Sequence, residues 1–138
     1  MAKNTDREIV QQIDQAFANL IASLKDLASS VPTDLLLRSA AVIEQMCGGL
    51  TANLWDDPFE WTLPETLSTT DRIIEYLSEV DLARQRAFNS IRDDSALTKY
   101  ISAPAGKQLL VNLLLETLVK ASDYRGRAVA TRLLSSST

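Results

Sequence analysis

Side chains able to do chemistry gather near the C-terminus. Glu116, Lys120 and Tyr124 follow one another at intervals of four, so a helix through them stacks a carboxylate, an ammonium and a phenol on one face. Glu116 before Lys120 is the favoured order for a helical ion pair. Turned into a core, that ammonium would be a fixed cation, and a lysine of lowered pKa can serve as a base or form a Schiff base. A second group is Gln45, Cys47 and Gly48. The Cys47 thiol is a nucleophile only if a neighbouring cation lowers its pKa; a small core cysteine is the commoner fate. Gly48 and Gly49 interrupt an apolar helical pattern at about 1 kcal/mol each, which points to a close crossing, a kink or a gap that a ligand enters. Asp56, Asp57, Glu60 and Glu65 have the chemistry for a hard cation, but their spacing fits no known loop, and a solvated loop is the simpler reading. Arg125, Arg127 and Arg132 have phosphate-binding chemistry, with Asp123 set four residues before Arg127 as a partner. Trp55 and Trp61 read as loop anchors, since no basic groove flanks them for base stacking.

Composition narrows the choices. The 138 residues include no histidine and one cysteine. The usual zinc sites, Ser-His and Cys-His catalysis, histidine-held haem and an intrachain disulfide are therefore excluded. Four glycines are too few for a glycine-rich cofactor loop. The formal charge is −4, and 46% of residues are hydrophobic. Residues 1–98 hold 8 basic and 16 acidic side chains, whereas 99–138 hold 6 basic and 2 acidic. A basic last helix among acidic neighbours explains that asymmetry without nucleic acid. No apolar signal core or membrane-length run occurs, so a cytoplasmic protein is expected, and a single thiol suits a reducing compartment.

The elements that must position these groups follow from helical periodicity. One domain, 1–138, is expected, with helices at about 5–29, 33–54, 69–92 and 104–134. The first carries Ile9, Ile13, Phe17, Leu20, Ile21 and Leu24 at three-and-four spacing, with Thr5 and Glu8 as a capping box. The second follows Pro32, and Ser68 to Asp71 start the third. The fourth is expected to begin near Pro104, a good first-turn residue, and to be the most buried, because its first half is apolar nearly all round. Residues 96–103 form a short connection; Tyr100 and Ile101 suit a brief strand, but nothing else offers a sheet. The fold class is all-α, a four-helix bundle.

The stretch LLLETLVKASDYRGRAVATRLL resembles the closing helix of the DinB-like (DNA-damage-inducible protein B) superfamily, which includes metal-dependent thiol S-transferases and the maleylpyruvate isomerase domain. That family carries a histidine, a second one four residues on, and commonly Arg-Gly-Gln. Here Arg125-Gly126 match, Lys120 and Tyr124 stand at the two histidine positions, and Glu116 lies where many members have another. The family's remaining histidine, on the second helix, falls between Gln45 and Gly48, with Gln45 favoured by the apolar pattern. The resemblance implies a four-helix bundle with a residual pocket. Lysine and protonated tyrosine are poor metal ligands, so it also implies that the metal site is lost.

The expected protein binds either a small apolar ligand in that pocket or a protein partner, without metal or other cofactor, and forms a homodimer through its wide apolar faces. The pocket candidates are Gln45, Cys47, Gly48, Glu116, Lys120 and Tyr124. Two alternatives stand beside it: a metal-independent enzyme using Lys120, Tyr124 and Glu116, and a purely dimeric interaction module.

Overall fold

A computed structural model describes residues 6–56 and 67–136 of the chain. Thr5, Asp57, Glu60, Trp61 and Glu65 lie outside the described residues. Four α-helices form an all-α bundle: α1 (Glu8–Leu27), α2 (Thr33–Ala52), α3 (Thr70–Asn89) and α4 (Leu110–Ser136). Between α3 and α4 come a 3-10 turn (Asp94–Thr98) and two short strands, β1 (Tyr100–Ala103) and β2 (Gly106–Leu109). None of the described helices is long and apolar enough to cross a membrane.

Helix α1 buries the stripe its spacing predicts except at its start, where Ile9 is 51% exposed and Val10 turns inward. From α1 come Val10, Ile13, Phe17, Leu20, Ile21 and Leu24, and the Phe17 ring meets Phe88 of α3 at 5.6 Å between centroids. Around the bundle, α1 packs on α3, α3 on α2, and α2 on α4, which returns to α1. The α2–α4 crossing is close because its residues are small. Ser39, Ala40 and Ala121 are fully buried, and the Ser39 hydroxyl donates to the Ala121 carbonyl at 2.7 Å. That bond satisfies a hydroxyl whose burial would otherwise be costly.

Helix ends show which local signals operate. The Thr69 side chain accepts from the Arg72 amide at 3.2 Å and starts α3, as the Ser68–Asp71 segment predicts. Arg7, at the N-cap of α1, makes no side-chain capping bond. Instead Asp94, from the 3-10 turn, accepts from the Ile9 and Val10 amides at 3.1 and 2.9 Å. Arg7 reinforces this join by donating to the Phe88 carbonyl at 2.9 Å. Helix α2 stops at Ala52 rather than 54, because Asn53 turns left-handed with φ 56°.

Two expectations are corrected. Pro104 does not open the fourth helix; it lies in the turn of a hairpin that pairs Tyr100 with Leu109 and Ala103 with Gly106. Proline suits the turn, and Gly106 takes φ +117°, a conformation that L side chains rarely adopt. Helix α4 therefore begins at Leu110. It is also not the most buried helix: Leu115 and Val119 are 44% and 69% exposed. Its apolar residues cover two opposite faces, and only one of them meets the bundle.

Candidate functional site

A groove of about 330 Å³ opens where α2, α4 and the hairpin converge. Helix α2 contributes Val42, Gln45 and Met46, and the first turns of α4 contribute Leu113, Glu116, Thr117 and Lys120. The hairpin tip, Ala103 to Ala105, and Trp55 complete the wall. The lining mixes apolar surface with a few polar groups, the usual make-up of a small-molecule site, and the volume is at the small end of that class.

The glycine pair in α2 explains how Trp55 reaches this wall. After the left-handed Asn53 the chain doubles back over its own helix. The Asn53 and Leu54 amides bond to the Gly49 and Gly48 carbonyls, each at 3.0 Å. The Trp55 indole then lies over Gly49, where any Cβ would overlap its six-membered ring. A Cβ on Gly48 would come within 2.8 Å of the Leu54 carbonyl oxygen. The indole N–H donates to Asn53 Oδ1 at 2.9 Å, and Gln45 Nε2 donates to the Trp55 carbonyl at 2.6 Å. Trp55 is an anchor, held at both ends.

Of the residues singled out in the sequence, Gln45, Glu116 and Lys120 line one groove; Cys47, Gly48 and Tyr124 do not. Glu116 and Lys120 are exposed at the rim and do not pair with each other. Tyr124 is half-buried, with the Arg127 guanidinium 5.8 Å from its ring centroid. The trio of Glu116, Lys120 and Tyr124 is therefore split: their spacing of four turns the face by about 40° per step, which carries Tyr124 past the groove. Cys47 is 1% exposed. Burial pushes its thiol up to about 12, with Glu44 and Asp14 adding and Arg84 opposing, so the nucleophilic thiolate is absent at neutral pH. Arg127 pairs with Asp123 at 3.0 Å, as the spacing predicts, and Arg125 donates to Ser23 of α1 at 3.2 Å.

Sequence reasoning missed a polar cluster inside the bundle. Arg84 is 8% exposed and pairs with Asp81 at 2.9 Å and with Asp14 of α1. Burial opposes its charge, but the hydrogen bonds Arg84 donates to the Asp81 and Asp14 carboxylates outweigh that and raise its pKa. Beside it, Tyr76 donates to Glu44 at 2.6 Å. Burial raises the Glu44 pKa; the Tyr76 bond works against this and the Glu79 charge adds to it. The available signal was Arg84 itself, a charge on the apolar stripe of Leu77, Val80, Ala87 and Phe88.

Among the described residues, no three His, Cys, Asp or Glu side chains gather to hold a metal. An amide at 45 and an ammonium at 120 do not suit a divalent transition metal. No protein-family model, no curated protein and no solved structure matches the chain.

Proposed function

We propose that this chain is a DinB-like bundle without the metal site, whose groove between α2, α4 and the hairpin binds a small, mainly apolar ligand in the cytoplasm. The observation that carries the reading is the meeting of Gln45 and Lys120, the positions matched to the family's ligands, on one groove walled by Met46, Trp55 and Leu113. Apolar walls hold the body of the ligand, and Glu116 and Lys120 at the rim select its polar end. Binding is favoured over catalysis because Lys120 is exposed and Tyr124 lies off the groove. Neither a desolvated base nor a phenol is aimed at a bound molecule, as general acid–base chemistry requires.

The test uses Trp61→Phe, which leaves Trp55 as the sole tryptophan, titrated with the apolar anion 8-anilinonaphthalene-1-sulfonate. Saturable change in Trp55 emission is expected. Val42→Phe, which fills the groove, is expected to weaken it by about tenfold or more. Non-saturable binding, or binding indifferent to Val42→Phe in a folded variant, overturns the reading.

A further inference from the structure

The outer face of α4 has a pattern that the bundle does not use. Leu115, Val119, Ser122, Gly126, Val129 and Leu133 follow one another at alternating steps of four and three, the repeat of a coiled-coil seam. This face lies opposite the buried Leu114, Thr117 and Ala121, since a helix turns about 100° per residue. Leu115, Val119 and Leu133 are 44%, 69% and 58% exposed. Gly126 is on the same face, and among the described residues nothing lies within 4 Å of where its Cβ would be. A glycine in a helix interior costs about 1 kcal/mol relative to alanine. Gly48 and Gly49 repay that cost through the Trp55 turn; Gly126 has no such contact among the described residues.

We propose that a second copy of this chain docks on this face, with the two α4 helices antiparallel about a two-fold axis near Ser122. The charges beside the seam argue for that partner and that direction. Glu116, Lys120, Asp123 and Arg127 alternate in sign. A two-fold axis between residues 121 and 122 sets Glu116 opposite Arg127 of the partner subunit and Lys120 opposite Asp123 of the partner subunit. One symmetry operation thus sets each of the four charges beside an opposite one, adding to the Asp123–Arg127 pair within each chain, as an isologous interface allows. A parallel pairing, about an axis along the helices, would carry this charged flank to opposite sides of the two copies and leave the four charges without partners across the seam. In the same antiparallel register Leu115 and Val119 fall beside Gly126 of the partner subunit, so large side chains meet the space its missing side chain leaves. In this register the mutually facing stretch of the seam, from Leu115 to residue 128, is about 20 Å long, a small interface of the kind that weak, reversible association uses. Glu116 and Lys120 also line the groove, but Val119 and Gly126 do not, so variants at these two positions test the dimer separately from the groove reading.

Sedimentation velocity from about 1 to about 500 µM, without ligand, is expected to show a monomer–dimer equilibrium. Val119→Glu should weaken it by about 100-fold. Gly126→Leu should weaken the dimer while raising the melting temperature of the dilute monomer, because the site is open within the chain; folding is therefore not at risk in that variant. With Cys47→Ser as background, Ser122→Cys should give a covalent dimer with a short bismaleimide. Glu116→Arg should weaken association, and Glu116→Arg with Arg127→Glu should restore it. A monomer throughout, a dimer insensitive to both Val119→Glu and Gly126→Leu, or no cross-linking at residue 122 overturns the proposal.

Discussion

Replacing Gly49 with alanine gives a sharp test of how the groove wall is built, because two effects of opposite sign compete. Alanine in a helix interior gains about 1 kcal/mol over glycine. Against that gain, its methyl occupies the volume of the Trp55 ring, and the indole must leave. Leaving gives up the bond to Asn53 Oδ1 and strains the Gln45 bond to the Trp55 carbonyl, about 1 kcal/mol for each. It also exposes a half-buried indole, about 1–2 kcal/mol more. The balance is a net loss of about 2 kcal/mol, which for a chain of this length lowers the melting temperature by about 7 °C. In a Trp61→Phe background, Trp55 emission should shift to the red in the same variant. The decisive measurement is a double-mutant cycle. Once Trp55→Ala has removed the ring, Gly49→Ala should become stabilising by about 1 kcal/mol. Stabilisation in both backgrounds would refute the argument that Gly49 is there to receive Trp55.

Two further outcomes follow from the polar contacts. Glu44 binds its proton more tightly in the folded chain than in the unfolded one, so its charge weakens the fold as pH rises through its raised pKa. Glu44→Gln keeps an acceptor for Tyr76 and should be the more stable protein at neutral pH; below the ordinary value of 4.5 the two should melt alike, and a gain that persists there would contradict the cause given. Asp94→Ala removes the remote cap of α1 and should cost about 1–2 kcal/mol, Asp94→Asn less, with hydrogen exchange faster at the Val10 amide; equal melting of all three proteins would show that the cap does not act.

The helices were legible because three-and-four spacing is a local property: the stripe from Ile13 to Leu24 reads the same before and after folding, although Val10 and not Ile9 faces the core at its start. The hairpin was not legible. Its strands are four residues each with none of them fully buried, too short to carry a clear apolar face, and Pro104 serves a helix start and a turn equally well. Periodicity also cannot rank two apolar faces on one helix, which is why α4 was expected to be buried. Half of the candidate site came through the helix positions of Gln45, Glu116 and Lys120. The hairpin tip and Trp55 reach the groove through tertiary contacts that no local pattern encodes. Arg84 was readable as an anomaly, a charge on an apolar stripe, but its partner Asp14 lies 70 residues away.

The bond from Asp94 to the Val10 amide spans 84 residues, and this sets a clock on assembly. A ribosome adding about 5–20 residues per second delivers α1 some 4–17 s before its cap exists. Most of the stability of an amphipathic helix comes from packing its apolar face, not from the isolated helix. Helix α1, although made first, therefore takes its place late, after α2 and α3 have emerged and the 3-10 turn has closed against its end.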